Sequence, residues 1–119
     1  MSLYSEYIKE REDFETIELQ DSFLTYEINL NGTLCYICDL FIRPKKRRNG
    51  KEYLKLAREV IKRLEKSEVK FIFCNVIKGM ELTDYVLNIH KKTGWVSHSE
   101  NDEKFYLKIS FKNFKERFN

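Results

Sequence analysis

The stretch Asp39–Leu64, "DLFIRPKKRRNGKEYLKLAREVIKRL", changes character twice. It begins as an apolar, β-like run. It then passes through a proline and four consecutive cations to a glycine, and continues with apolar residues at helical spacing. Tyr53, Leu54, Ala57, Val60, Ile61 and Leu64 fall on one helical face, which predicts a helix from about Gly50 to Lys66. Pro44 cannot donate to a strand ladder and ends the strand before it. Asn49 is a good N-cap. A strand that enters a helix through a glycine-bearing turn leaves backbone N–H groups free at the helix start. Those donors and the helix dipole suit a phosphate. By itself, the same basic loop also fits a solvated surface or a patch of nucleic-acid phosphate contacts.

Three strands are expected before this unit: Phe14–Leu19, Ser22–Leu30 and Thr33–Ile42. Asn31-Gly32 is a strong hairpin signal between the last two. The run "LCYICDLFI" is almost wholly apolar, as in a strand buried on both faces. After the helix, "VKFIFCNV" reads as a strand, and Met80–Lys92 reads as a helix marked by Leu82, Tyr85, Val86 and Ile89. Thr93-Gly94 stops that helix. "WVSH" is a short strand. "KFYLKISF" alternates, with Phe105, Leu107, Ile109 and Phe111 on one face. A short helix precedes the whole in "YSEYIKERED". The order is β-β-β-α-β-α-β-β, an α/β fold with a mixed sheet flanked by helices, in a single domain over residues 1–119. The tail "FKNFKERFN" places Phe111, Phe114 and Phe118 at helical spacing, for a subunit contact or to cover the sheet.

The chain has 119 residues, 42% hydrophobic and 34% charged, enough for one core under a wet surface. A net charge of +3 carries no global nucleic-acid signature. Nucleic acid is therefore disfavoured as a partner. The aromatics are needed by the core, so no stacking platform is expected. There is no apolar stretch of the roughly 18–20 residues that a membrane span needs, and the N-terminal "MSLYSEYIKERED" lacks a signal-peptide centre. The expected location is the cytoplasm. Cys35 and Cys38 spell C-x-x-C, but within a strand they point to opposite faces. Without a second ligand pair or a helix N-terminus, they and Cys74 are expected to be small buried side chains, not a metal or redox site.

Two motifs in this order resemble the GNAT superfamily of acyl-CoA-dependent N-acetyltransferases, over about Phe14 to Phe111. The first is the quoted strand, loop and helix. Its Arg47-Arg48-Asn49-Gly50-Lys51-Glu52 is similar to the family's pyrophosphate loop [Q/R]-x-x-G-x-[G/A] up to the last position. The second is "YVLNIHKKTGW", where His90-Lys91-Lys92-Thr93-Gly94-Trp95 stands in the places of Tyr-Glu-Lys-x-Gly-Phe. The resemblance implies a fold with a shortened N-terminus and acetyl-CoA as cosubstrate, with no metal. It implies transfer to an amine on a small molecule or a protein. Phe41, Ile42, Arg47, Arg48, Asn49, Gly50, Lys51, Glu52 and Asn75 would contact the cofactor. Asp39 would act as base, and His90, in the place of the family's tyrosine, would protonate the leaving thiolate. A homodimer is expected, because elements that wall the acceptor site are missing. The alternative is an inactive module of the same shape that works through protein or nucleic-acid contacts. Glu52 bears on that choice. With Asn49 as N-cap, "NGKE" has the spacing of a capping box, which would turn a carboxylate toward the phosphate cradle.

Overall fold

The computed structural model describes residues 14–29, 31–47, 50–80 and 83–119, together with Leu3 and Glu6; the side chain of Tyr85 is also outside the description. Apart from Glu6, the helix expected over residues 4–13 lies outside the described residues, as do the loop residues Arg48 and Asn49. The described elements run β1 (Glu15–Glu18), β2 (Ser22–Ile28), β3 (Leu34–Ile42), α1 (Lys51–Leu64), β4 (Phe71–Ile77), α2 (Thr83–Lys92), β5 (Val96–Glu100), β6 (Lys104–Ser110) and α3 (Phe111–Phe118). They form a six-stranded sheet in the order β1-β2-β3-β4-β6-β5. The β3–β4 pair is parallel and the others are antiparallel. Parallel neighbours need a crossover, and α1 supplies it.

Local chemistry sets the boundaries. The Asn29 side chain accepts from the Thr33 and Leu34 amides at 3.0 and 3.1 Å and shapes the β2–β3 turn. At the end of β3 the Arg43 amide donates to the Asp21 carbonyl. Pro44 then opens a single 3-10 turn, Pro44–Lys46. Helix α2 ends at Gly94, whose φ of +102° is left-handed, and the Trp95 amide folds back onto the His90 carbonyl at 3.1 Å.

The core lies on one face of the sheet. Leu24, Cys35, Ile72, Cys74, Leu107 and Ile109 meet Leu56, Ala57, Val60, Ile61 and Leu64 of α1 there. Ring contacts tie the three helices to this same face. Tyr53 of α1 packs on His90 of α2 and Phe118 of α3, and Trp95 packs on Phe114.

Two expectations are corrected. Strand β3 is not buried on both faces: Cys35 is buried, but Tyr36 and Phe41, which point to the other face, are exposed. The reason is that the three described helices all gather on one side, so the other side of β3 has no described layer over it. The phenylalanines at 111, 114 and 118 are not exposed for a partner. They are buried in this chain's own core, because α3 folds back beside α1 with Arg58 Nε donating to the Phe118 carbonyl.

Phe114 is 2% exposed and touches both Trp95 and Phe118. Phe114→Ala should lower unfolding stability in urea by about 3–5 kcal/mol. The exposed neighbour substitution Lys112→Ala should stay within about 0.5 kcal/mol. A small loss at Phe114 would show that α3 is not an integral part of the core.

Candidate functional site

Strands β3 and β4 pair at Leu34–Phe71, Cys35–Ile72 and Tyr36–Phe73, and no further. Beyond Tyr36 and Phe73 the two run on to Ile42 and Ile77 without ladder bonds between them. Each remains paired on its other side, β3 to β2 and β4 to β6. A wedge therefore opens at the C-terminal ends of the two parallel strands, where open α/β sheets place their ligands. It exposes backbone donors and acceptors that a ligand can use.

The N-terminus of α1 follows β3 at this end of the sheet. Its N-cap is Gly50, with φ of +72° and no side-chain cap, and a Cβ built there meets nothing within 4 Å. The backbone at the helix start is thus open. Lys45 and Lys46 are exposed in the turn before it. Arg47 is partly committed: its Nε donates to the Ile42 carbonyl at 2.7 Å and its guanidinium lies 5.4 Å from the centre of the Phe41 ring.

Glu52 departs from the sequence expectation. It is the second residue of α1, not the third, and it is 4% exposed. The Ser22 hydroxyl donates to its Oε2 at 2.7 Å, and Lys55 lies 3.4 Å from its Oε1. The carboxylate turns inward to the start of β2, so no capping box forms with it. Its charge is engaged by Ser22 and Lys55. It anchors the helix start to the sheet.

Asp39 and Asn75 lie on the two sides of the wedge and are exposed. The Thr25 hydroxyl donates to Asp39 Oδ2 at 3.2 Å. Between the register pairs Thr25–Asp39 and Tyr26–Ile37 the strand carries an extra residue, Cys38, a β-bulge. Cys38 is exposed, which corrects the expectation that all three cysteines are buried; Cys35 and Cys74 are. Desolvation raises the Cys35 and Cys74 thiols to about 12 and that of Cys38 to about 11. Those values leave little thiolate at neutral pH. Among the described residues no group of side chains could hold a metal ion.

His90 sits between the helices. Its Nδ1 donates to the Val86 carbonyl at 2.8 Å, and its ring meets Tyr53 and Trp95 edge-on. Burial pulls its pKa below 6.5, partly offset by the Val86 bond. The ring is therefore neutral at pH 7, which makes it a poorer acid than the sequence reading assumed. Burial likewise pushes the Tyr53 hydroxyl above its ordinary 10. Trp95 Nε1 is buried with no acceptor among the described residues. Sequence reasoning missed Ser22, Thr25 and the Tyr53–His90 contact. Each pairs residues remote in the chain, and no local pattern marks them.

Two outcomes check this geometry. Ser22→Ala should destabilise the fold by about 1.5–3 kcal/mol, as expected for a buried carboxylate that loses its donor, and a cycle with Glu52→Gln should recover most of that as coupling. Independence of the two sites would remove the anchor. For His90 the folded pKa is below the unfolded one, so the unfolded state binds more protons as pH falls through 6.5. Stability should thus decline from pH 7 toward 5.5, by at most about 1.4 kcal/mol per pH unit for one proton. His90→Gln should flatten that slope in urea titrations, and an unchanged slope would refute the burial effect.

No family model matches the sequence, and no curated protein matches it. Solved structures do. The PaiA N-acetyltransferase from Thermoplasma acidophilum, in complex with coenzyme A, aligns with 91% of this chain and 69% of its own at 13% identity and a TM-score of 0.69. Apo FdhC, a nucleotide-linked sugar GNAT, aligns with 97% of this chain and 72% of its own at 18% identity and a TM-score of 0.70. A GNAT family acetyltransferase from Elizabethkingia anophelis with acetyl-CoA bound aligns with 88% of this chain and 82% of its own at 11% identity and a TM-score of 0.67. At these identities what is shared is the fold, and this chain has the fold of the GNAT acetyltransferases.

Proposed function

We propose that this chain binds acetyl-CoA and transfers its acetyl group to an amine carried by a small molecule or a protein. The observation that carries this reading is the wedge between β3 and β4, with the uncapped start of α1 following β3 at its mouth. The residues suit such a ligand on three counts. Gly50 leaves the backbone open to close approach. The cations from Lys45 to Arg48, with Lys51, suit a diphosphate. The unpaired strand edges suit an amide-bearing arm. The neighbours with coenzyme A or acetyl-CoA bound lend support by analogy of fold.

In this reading Asn49, Gly50, Lys51 and the loop arginines hold the diphosphate, while Phe41, Ile42 and Asn75 line the arm. Glu52 contributes by anchoring the helix start through Ser22. Bound acetyl-CoA supplies the activated thioester carbonyl. Asp39, oriented by Thr25, takes the proton from the attacking amine. His90 holds its place among Tyr53 and Trp95 as a neutral ring. Protonating the thiolate, the role the family motif suggests for it, would require the charged ring that burial disfavours.

Calorimetric titration with acetyl-CoA tests the reading, backed by a thermal shift that should reach about 2.7 kcal/mol of added stability at a hundredfold excess over Kd. Arg48→Ala should weaken binding about tenfold, more strongly at low salt. If neither heat nor thermal shift appears at millimolar ligand, the chain is a module of GNAT shape without this activity.

A further inference from the structure

At the end of β4 opposite the wedge the chain forms a second concavity. Val69 and Lys70 lead into β4, and α3 starts directly from the end of β6 beside them, where Phe71 pairs with Ser110. Val69, Lys70, Phe111, Lys112 and Lys115 line a cavity of about 320 Å³ there. Backbone bonds hold its walls. The Lys70 amide donates to the Thr33 carbonyl at 2.7 Å, and the Phe111 amide donates to the Lys70 carbonyl at 2.8 Å. The Ser110 hydroxyl accepts from the Asn113 amide at 3.1 Å and fixes the first turn of α3. With both walls tied to the sheet, a ligand does not have to order them.

The lining divides by chemistry. Val69 and Phe111 are buried and give the cavity an apolar floor, and three lysines stand around it. Lys70 and Lys112 are exposed and form no ion pair among the described residues. Lys115 lies 5.5 Å from the centre of the Phe111 ring. Its Nζ is 3.8 Å from Glu65 Oε1, too far for a hydrogen bond, so this ammonium is only loosely engaged. Glu65 does not line the cavity, and neither do Glu68 and Glu116, the other acidic residues nearest along the chain.

We propose that this cavity binds a small organic anion: an apolar body that carries one carboxylate or phosphate. The body rests on Val69 and Phe111, and the anion is held among Lys70, Lys112 and Lys115 by charge-assisted hydrogen bonds. Each half of the site excludes a simpler occupant. An inorganic anion gains nothing from the apolar floor. A neutral apolar molecule gains nothing from three ammonium groups and has to share their surroundings. The size of the cavity, at the small end of the range for ligand sites, suits a small molecule and not a macromolecular partner. The site lies at the other end of β4 from the wedge and does not depend on acetyl-CoA binding.

Proton–nitrogen NMR titration of the whole chain tests this with four probes: 4-phenylbutyrate, phenyl phosphate, inorganic phosphate and the neutral 4-phenylbutanol. At least one of the two organic anions should move the Lys70 and Lys112 amides and saturate below about 1 mM, an ordinary affinity for a ligand of a dozen heavy atoms. The tighter of the two identifies the head group. Inorganic phosphate and 4-phenylbutanol should each bind at least about tenfold more weakly. Lys70→Glu and Lys112→Glu should each weaken the organic anion about tenfold, and Lys112→Arg should retain it. Both lysines are exposed, and the spectra of the variants report directly that they fold. Three results would each overturn the proposal. One is no saturable shift at about 5 mM of either organic anion. Another is equal affinity for 4-phenylbutyrate and 4-phenylbutanol, which would leave the lysines without a role. The third is a saturable shift centred elsewhere, on the Tyr36 and Phe73 amides for instance, that both lysine variants leave unchanged. Acetyl-CoA titration of the same protein reports separately on the transferase reading.

Discussion

A parallel pair that holds for three residues and then separates is the constraint on which the rest of this molecule turns. The bulge at Cys38 lies just past the last paired residue, Tyr36. An extra residue in one strand bends it and increases its twist while its other partner is kept. Strand β3 can thus stay on β2 and leave β4. The parting leaves backbone groups of two strands facing a gap, which in a folded protein calls for a ligand or solvent. Helix α1 is the crossover between these two strands. Its start therefore follows, across the basic loop, from the end of the strand that bends away.

The helix start is positioned by a buried carboxylate. Gly50, the N-cap of α1, offers no capping side chain. Glu52 fastens the first turn from the inside instead, through Ser22 at the beginning of β2. A buried charge is tolerable only when hydrogen-bonded and paired, and Ser22 with Lys55 meets that need. The arrangement turns an acidic residue of the first helical turn inward, toward the sheet. It also ties the helix start to β2, the strand that carries Thr25 beside Asp39.

The two faces of the sheet have opposite fates. On one, an aromatic chain from Phe118 through Tyr53, His90 and Trp95 to Phe114 locks three helices together. That packing desolvates His90 and Tyr53 and explains why their ionised forms are disfavoured. On the other, rings of similar size remain in contact with solvent. Composition does not separate the two sets. Position relative to the helices does.

Much of this was legible in the chain itself. The order of strands and helices, the hairpin around Asn31-Gly32, the stop at Thr93-Gly94 and the alternating face of β6 all follow from periodicity and turn chemistry, which act over a few residues. So does the strand–basic loop–helix unit, and with it the resemblance that named the fold. The sequence could not tell that "LCYICDLFI" would be open on one face, since an apolar run looks the same whether both faces are covered or one. Nor could it tell that Phe111, Phe114 and Phe118 would fold inward, since helical spacing marks a sticky face without naming what it meets. The capping reading of Glu52 failed for a related reason: a local motif competed with Ser22, thirty residues away in sequence, and the tertiary contact prevailed. What the sequence determined by itself are the elements and their order, because these rest on neighbours along the chain. Where the strands part, which carboxylate is held by which hydroxyl, and which aromatics stay at the surface were decided only by tertiary structure, because each depends on residues that only folding brings together.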